Sequence, residues 1–323
     1  MWPKLLPSGD HSRSAAERSP PASGTIAAVR FPEFAMERMQ STWEHRVRHD
    51  LSESGVEPLT LAELLEGDLA RLGEIPLGYA AGTGRDATRA LIARFHRGAS
   101  LDTVLVTTGT SEANLLALAT LVEPGDEVVV VLPNYMQVHG LARGLGAIVR
   151  EVWLREESGW RCDLDALRAA TSQRTRVICV CTPNNPTAQA LAEADVAEVV
   201  RVADRSGAWI LADEVYRGAE RDGVESPSFA GRGERVLVTG GLSKAYGLPG
   251  LRIGWIVGPR ERIEAAWAMK DYTTIAAATL SECVAELALA RRDALLARTR
   301  RLLNERWPVL EAWAVARRDA LSW

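Results

Sequence analysis

The sequence has few cysteines, no strong excess of charge of either sign and no long apolar run. Its four cysteines, Cys162, Cys179, Cys181 and Cys283, are spaced too irregularly for a zinc site, so we expect reduced core residues. A net charge of −4 over 323 residues gives no general attraction to nucleic acid or to an anionic membrane. No stretch approaches the roughly 20 apolar residues that span a bilayer. We therefore expect a globular, cytoplasmic protein with no metal, nucleic-acid or membrane partner.

Several common catalytic motifs are also absent. The sequence has no Walker loop, HExxH helix or GxSxG elbow, and Gly82-Thr83-Gly84 lacks the preceding strand and third glycine of a dinucleotide fingerprint. The five histidines make no convincing metal spacing, and we expect them to be surface residues. Residues 1–30 lack the apolar stretch of a secretory signal and are interpreted as a disordered extension. Nucleotide-loop, zinc-protease and serine-hydrolase chemistry are therefore poorly supported.

What the sequence does contain, from Leu101 onward, is an alternation of short β-branched runs with helix-like stretches. This alternation predicts an α/β fold with a largely parallel sheet covered by helices on both faces. The last long segment, Ile275 to Arg318, is predicted to be helix broken near Pro308. The predicted strands are Val104–Thr107, Glu127–Leu132, Ile148–Val152, Arg176–Cys181, Trp209–Ala212, Arg235–Thr239 and Ile253–Val257.

The domain organisation is predicted from the same pattern. Residues 31–75 are expected to form an arm and part of a small domain, and residues 76–290 a large domain. Residues 291–323 are expected to begin a C-terminal small domain that is truncated. Since right-handed crossovers bring the carboxyl ends of parallel strands to one rim, we expect the chemistry at that rim of the large domain.

A glycine-rich turn from Ser243 to Arg252 surrounds a single lysine, Lys244, just after a predicted strand. A lone loop lysine is usually a solvated surface charge. A turn this rich in glycine and proline, with Arg252 eight residues after the lysine, favours an amine held at a binding rim. Such an amine can form a Schiff base with a carbonyl cofactor if the site keeps it partly deprotonated.

Asp213 and Tyr216 follow a strand whose apolar run predicts burial. A buried carboxylate needs a partner, because an unpaired buried charge is strongly destabilising. Asp213 could cap a helix, but it could also hold a pyridine nitrogen protonated and so make the ring an electron sink. Tyr216 could donate to a phenolic oxygen on that ring.

Three further strand ends carry candidate ligand groups. Gly109-Thr110-Ser111 passes from a strand into a helix, where N–H groups and hydroxyls can cradle an anion, although a plain hydroxyl N-cap is the simpler alternative. Tyr135 could stack on a flat cofactor or simply pack on the sheet rim. Asn185 lies in a Pro-Asn-Asn-Pro turn that by itself indicates a turn and nothing more.

Together these motifs resemble those of the fold-type-I pyridoxal 5′-phosphate (PLP) enzymes of the class I/II aminotransferase family, from about Phe34 to the end of the chain. The separations between Asn185, Asp213, Lys244 and Arg252 fall in that family's usual pattern. The resemblance implies the type I PLP-dependent transferase fold, with a mostly parallel seven-stranded large-domain sheet and an incomplete small domain.

The resemblance also implies the roles of single residues. Lys244 is implied to be the Schiff-base lysine and Asp213 the partner of the pyridine nitrogen. Tyr216 and Asn185 are implied to contact the phenolic oxygen, and Tyr135 to stack on the ring. The implied phosphate side of the site consists of Gly109, Thr110, Ser111, Ser243 and Arg252.

Tyr79 is similar to the family tyrosine that reaches the phosphate of the neighbouring subunit, which implies a homodimer. The implied reaction is transfer of an amino group between an amino acid and a 2-oxo acid, through an aldimine of Lys244 that also acts as the base. The sequence does not identify the amino acid.

Two alternatives stay open. The stretches 51–56 and 242–252 are also similar to those of the capreomycidine synthase subgroup, which uses PLP to cyclise a hydroxy-arginine, so a PLP-dependent cyclase or lyase is the nearest rival. A truncated, non-catalytic protein of this fold is the other.

The family's arginine for the substrate α-carboxylate would lie beyond Trp323, and we therefore expect weak aminotransferase activity, poor solubility and exposed Leu302, Leu303, Trp307 and Leu310.

Two positions depart from the family pattern. Gly241 stands where the family usually has Ser or Thr in contact with the phosphate, so one hydrogen bond is expected to be absent. Ala188 replaces the usual glycine after Asn-Pro-Thr, which is a milder change.

Overall fold

The computed structural model describes residues 30–320. The extension predicted for residues 1–30 lies, apart from Arg30, outside the described residues. The predicted division into domains at residues 75 and 290 stays a prediction. The fold is α/β, built on one seven-stranded sheet.

The strands lie where their β-branched runs predict them, within one or two residues at each end. Their bounds are β1 Val104–Thr107, β2 Glu127–Leu132, β3 Ile148–Trp153, β4 Thr175–Cys181, β5 Trp209–Asp213, β6 Val236–Gly241 and β7 Gly254–Val257. The sheet order is β1-β7-β6-β5-β4-β2-β3. β7 runs antiparallel to both β1 and β6, and the other neighbouring pairs are parallel. The prediction of a mostly parallel seven-stranded sheet is therefore confirmed.

Ten α-helices fall within residues 30–320. They are α1 Ala35–Trp43, α2 Leu61–Leu64, α3 Asp86–Ala93, α4 Gly109–Leu121, α5 Gln137–Gly144, α6 Leu164–Ala170, α7 Glu193–Ser206, α8 Arg260–Lys270, α9 Thr279–Ala290 and α10 Arg292–Val315. Four short 3-10 helices cover Leu69–Glu74, Leu101–Thr103, Glu156–Ser158 and Pro249–Leu251. None of the helices in this part of the chain is long and apolar enough to cross a membrane.

The core consists of two hydrophobic layers, one on each face of the sheet. Side chains alternate along each strand, so Ile178 and Val180 of β4 pack in one layer while Val177 and Cys179 pack in the other. Both faces of the central strands are buried by this arrangement. A strand covered on both faces leaves its carboxyl end as the place where polar side chains can reach a ligand.

Helix α10 differs from the prediction. It continues through Pro308, and the interruption lies instead at Arg291, between α9 and α10. Pro308 removes the hydrogen bond to the carbonyl of Asn304, but Asn304 is exposed, so water can satisfy that carbonyl. Of the four side chains expected to be exposed, Leu310 is exposed, whereas Leu302, Leu303 and Trp307 are only partly exposed. The Arg221 guanidinium lies 3.9 Å from the ring centroid of Trp307.

The prediction that the histidines are surface residues is wrong for His96. His96 is buried, and the indole N–H of Trp255 donates to its Nε2 at 3.2 Å. Burial lowers the pKa of His96 to about 3, so this ring is a neutral core residue. All four cysteines are free, but only Cys179 is buried in the core; Cys162, Cys181 and Cys283 are partly exposed. Among residues 30–320, no group of three or more His, Cys, Asp or Glu side chains is placed to hold a metal ion.

Candidate active site

The candidate residues meet in one cleft at the carboxyl ends of the parallel strands. The cleft has an empty volume of about 1240 Å³, and α1 and the arm of residues 52–54 form its outer wall. Of the predicted site residues, those that line the cleft are Thr110, Ser111, Tyr135, Asn185, Asp213, Tyr216, Ser243, Lys244 and Arg252. Gly109 begins α4 at the edge of the cleft. Tyr79 is 89% exposed and is not part of the lining in the described chain.

Asp213 is the last residue of β5 and faces the cleft from its floor. Its Oδ1 accepts the N–H of Val215 at 3.1 Å, and its Oδ2 accepts the side-chain amide of Asn114 at 3.0 Å. Burial raises the pKa of Asp213, and these two hydrogen bonds oppose the rise. Neither partner is a cation. The carboxylate therefore remains available to a cationic group in the cleft.

Lys244 lies in the turn after β6 and extends its ammonium into the cleft. Its Nζ lies 2.8 Å from Oε1 of Glu53, a residue of the arm. Burial raises the pKa of Glu53, but the hydrogen bond and charge of Lys244 outweigh it, so the pKa falls below its usual value. This ion pair joins the arm to the large-domain part of the site.

Tyr216 and Asn185 lie side by side, as their predicted common target requires. The amide of Asn185 donates to the Tyr216 hydroxyl at 3.1 Å, and that hydroxyl donates to Oγ of Ser54 at 2.9 Å. Burial raises the pKa of Tyr216 to about 12, so the phenol stays protonated at neutral pH. A protonated phenol here can donate to an oxygen of a bound ligand.

Tyr135 lies at the carboxyl end of β2, where its hydroxyl donates to Glu37 of α1. Burial, followed by the Glu37 carboxylate, raises the pKa of the tyrosine. The ring also contacts Phe34, with centroids 5.1 Å apart. Two contacts from the N-terminal segment thus hold the aromatic wall of the cleft in place.

The anion cradle is formed by the first turn of α4 and by Arg252. A Cβ on Gly109 would lie 2.3 Å from Nη2 of Arg252, so glycine is required for the guanidinium to approach the helix so closely. Gly109 also has a φ of +79°, which glycine adopts without strain. The first N–H groups of a helix have no intrahelical partners, and with Arg252 they provide convergent donors for an anion.

The departure at Gly241 has a steric explanation. The Thr110 hydroxyl donates to the carbonyl of Gly240 at 3.0 Å, and a Cβ on Gly241 would lie 2.5 Å from that hydroxyl oxygen. Thr110 therefore occupies the space that a larger residue at position 241 would need. Position 241 therefore has no hydroxyl group, and the Thr110 hydroxyl of α4 lies next to the space where the side chain of a residue at 241 would be.

Two residues in the cleft were missed by the sequence reasoning. Asn114 is buried in α4 and contacts Asp213, and Glu53 pairs with Lys244. Asn114 lies about one helical turn after the Gly109-Thr110-Ser111 segment of the anion cradle, so its position in the helix was the available signal. Glu53 lies 191 residues from Lys244 along the chain, and no local pattern connects them.

The cleft therefore brings together donors for an anion, a carboxyl group that can pair with a protonated ring nitrogen, and an amine. Its lining residues follow five of the strands or come from α1 and the arm, all in the described part of the chain. Convergence of an amine, a buried carboxylate and an anion cradle in one concave site is typical of a cofactor site.

Comparisons with known proteins agree with this chemistry. Residues 62–308 match the family described as aminotransferase class I and II. The chain is 38% identical to capreomycidine synthase of Streptomyces vinaceus over 283 residues, covering 86% of this chain and 72% of the relative. A PLP-dependent aminotransferase from Streptococcus suis 89-1591 matches with a TM-score of 0.83 at 33% identity, covering 88% of this chain and 78% of that chain.

A second solved structure, the PLP-dependent cyclase OrfR, matches with a TM-score of 0.82 at 28% identity, covering 93% of this chain and 79% of that chain. These relatives include both an aminotransferase and a cyclase. The chain belongs to the aminotransferase class I and II family, as a PLP-dependent enzyme whose cofactor is pyridoxal 5′-phosphate.

Proposed function

We propose that this protein is an aminotransferase that moves an amino group between an amino acid and a 2-oxo acid, with its cofactor attached to Lys244. The observation that carries the proposal is the meeting of Lys244, Asp213 and the Arg252 cradle in one cleft. The residues fit PLP, because Asp213 has no cationic partner of its own and the start of α4 is open to a phosphate.

When bound, PLP supplies an aldehyde carbon that an amine can capture and a ring that accepts electrons from the substrate. Lys244 would provide the amine that holds the cofactor and, when free, the base that moves the Cα proton. Asp213 would hold a proton at the ring nitrogen. The Tyr216 hydroxyl, contacted by Asn185, would turn from Ser54 to donate to the ring oxygen, and Tyr135 would support the ring face.

Titration of the holo-protein with a panel of amino acids tests the proposal. Each productive amino acid should change the visible absorbance, and a 2-oxo acid should then restore it, because transamination is two reversible halves. The conversion should also release one equivalent of the corresponding 2-oxo acid. A holo-protein whose absorbance responds to no amino acid would contradict the proposed reaction.

A second candidate function, a PLP-dependent cyclase or lyase, is favoured by Glu53. Departure of a group from Cβ needs a proton donor, and Lys244 can be that donor once it holds the Cα proton; the Glu53 carboxylate lies 2.8 Å from Nζ, where it can orient and stabilise that ammonium. Glu37 and Glu44 line the same wall, so the cleft is suited to an amino acid with a cationic side chain. Two of the relatives described above, a capreomycidine synthase and a cyclase, also support this candidate.

The two candidates differ in stoichiometry. A β-substituted amino acid such as β-chloroalanine, given without a 2-oxo acid, releases pyruvate, ammonia and chloride over many turnovers if elimination occurs. Transamination alone keeps the C–Cl bond and stops after one equivalent of 3-chloropyruvate per site, with no chloride released. Continued pyruvate and chloride release that falls in Glu53→Gln would support the lyase, and a single equivalent of 3-chloropyruvate would support the aminotransferase.

We also propose that the protein acts as a homodimer in which Tyr79 reaches the phosphate site of the neighbouring subunit. Tyr79 and Leu77 are 89% and 86% exposed, although both side chains are largely apolar. The Tyr272 ring is similarly exposed. Such a surface is suited to contact with a second copy of the chain.

A further inference from the structure

We propose that Asn114 is the positioning residue that holds Asp213 as a charged acceptor for the cofactor's ring nitrogen. This inference rests on the proposed function, because it assigns a role within the same site. Asn114 is 1% exposed and lies one turn into α4, a helix whose first residues line the opposite, phosphate end of the cleft. The helix thus connects the two ends of the site.

The orientation of the Asn114 amide is fixed by its surroundings. The hydroxyl of Thr239, a fully buried residue of β6, donates to Oδ1 at 2.8 Å. The two hydrogens of Nδ2 go to Asp213 at 3.0 Å and to Oε1 of Gln137 at 3.2 Å. Both hydrogens of the amide nitrogen and the amide oxygen are therefore hydrogen-bonded. A flipped amide would put two acceptor oxygens about 3 Å apart, so the charged carboxylate and this orientation stabilise each other.

Gln137 extends this network to the start of α4. Its Nε2 donates to the carbonyl of Ser111 at 2.9 Å, while its Oε1 accepts from Asn114. A chain of hydrogen bonds therefore runs from β6 through Asn114 to the first turn of the helix. A connected network of hydrogen bonds of this kind restricts the orientations of its members.

The groups that face Asp213 make the donor from Asn114 necessary. Tyr135, Tyr216, Cys181 and Glu214 lie near the carboxylate, and all four are neutral or negative at neutral pH. None of them stabilises the charged form. Burial raises the pKa of Asp213, and the Asn114 hydrogen bond is the larger of the two contacts that lower it. Without that bond Asp213 would retain a proton to higher pH and could not hold the ring nitrogen protonated.

The first test uses the apo-protein, so it does not depend on turnover. Asp213 binds its proton more tightly in the folded than in the unfolded chain, so stability falls as pH rises from its unfolded pKa toward its folded pKa. Asn114→Ala should increase this loss of stability at high pH. The variant should therefore lower the melting temperature more at pH 8 than at pH 4, with a difference of roughly 2 °C or more for a chain of this size.

Asp213→Asn provides the matched background, because it keeps the shape of the side chain and removes the titration. In that background Asn114→Ala should have the same effect at both pH values. Thr239→Val should reproduce part of the pH-dependent effect, because the Asn114 side-chain amide then loses the hydrogen bond that fixes its orientation. Thr120→Val, on the same helix with its hydroxyl bonded to the Leu116 carbonyl, should act equally at both pH values.

The second test measures the cofactor. Loss of a hydrogen bond to a charged group should weaken PLP binding about 10-fold or more, and the acid limb of the activity profile should move to higher pH in Asn114→Ala. A pH-independent effect in the apo cycle, or an unmoved acid limb, would overturn the inference. If the wild-type chain captures no PLP, the proposed function fails instead, while the apo cycle still decides the role of Asn114.

Discussion

At the scale of single residues, the site separates charges that could otherwise neutralise each other. Lys244 pairs with Glu53 on the arm, and Asp213 is held by two neutral N–H donors. The carboxyl group at the floor of the cleft therefore has no cationic partner of its own and can pair with an incoming cation. A buried carboxylate held in this way destabilises the empty protein and stabilises the bound one.

Replacing Asp213 by Ala should damage chemistry more than cofactor capture. An ion pair about 4 Å apart at an effective dielectric near 20 is worth roughly 4 kcal/mol, while the phosphate contacts remain in the variant. Losing most of that should slow removal of the Cα proton by about two to three orders of magnitude. Single-turnover absorbance measurements check the rate. An unchanged rate would mean that Asp213 has another role.

The residues at strand ends could be predicted because each follows an apolar run that marks its position. Lys244, Asp213, Asn185 and Tyr135 all belong to this group, and the cleft contains all four. Glu53 could not be predicted, because its contact with Lys244 depends on how the arm folds back over the sheet. The sequence offers no pattern for a contact over that separation.

At the scale of elements, the N-terminus of α4 and the turn at Arg252 form one unit. Arg252 itself has a φ of +53°, a strained conformation for a side chain of this size. Strain of this kind persists when the surroundings fix it, and here it directs the guanidinium over Gly109. The geometry of the cradle thus depends on the absence of a side chain at position 109.

Gly109→Ala should weaken PLP binding by about 10-fold or more, because the new methyl group would displace Arg252 from a charge-assisted contact. Fluorescence or absorbance titration of the apo-protein gives the dissociation constant. Gly98→Ala is the matched control, since Gly98 has a similar φ of +74° and nothing within 4 Å of an added Cβ. It should lower stability and leave PLP affinity unchanged; equal losses of affinity in both variants would count against the cradle.

The loop between β4 and α7 contains a residue in an unfavourable conformation. Ala188 has a φ of +57°, which costs a non-glycine residue about 1–2 kcal/mol. Ala188→Gly should therefore stabilise the protein by about 1 kcal/mol and raise the melting temperature by roughly 2–4 °C. Ala190→Gly, in the same exposed loop without a positive φ, should be neutral or slightly destabilising. A lower melting temperature for Ala188→Gly would show that the loop is not strained.

The type of each element could be predicted where the pattern of apolar residues was strong. The β-branched runs gave all seven strands, because a strand buried on both faces needs a continuous apolar run. Local rules failed at Pro308, where an exposed carbonyl lets the helix continue. The local sequence pattern also did not predict that β7 runs antiparallel to β6, because this pairing depends on how the chain returns to the sheet after the turn that contains Lys244.

At the scale of the whole molecule, Leu77, Tyr79 and Tyr272 are among the most exposed large hydrophobic side chains of residues 30–320, and a second copy of the chain would cover them if the proposed dimer forms. Sedimentation should show a dimer. Tyr79→Phe should then leave the dimer intact and weaken PLP binding by about 5- to 10-fold, the typical worth of one hydrogen bond. A monomer with full PLP affinity would contradict the proposed sharing of sites.

The central claim is that Lys244 carries the cofactor, and one measurement tests it directly. Borohydride reduction of the holo-protein fixes a covalent bond between lysine and cofactor, and peptide mapping then identifies the labelled residue. We predict a phosphopyridoxyl label on Lys244. Lys270 is the natural comparison, because it is fully buried and donates to the carbonyl of Gly82, outside the cleft. A label on Lys270, or no label on any lysine, would contradict the account.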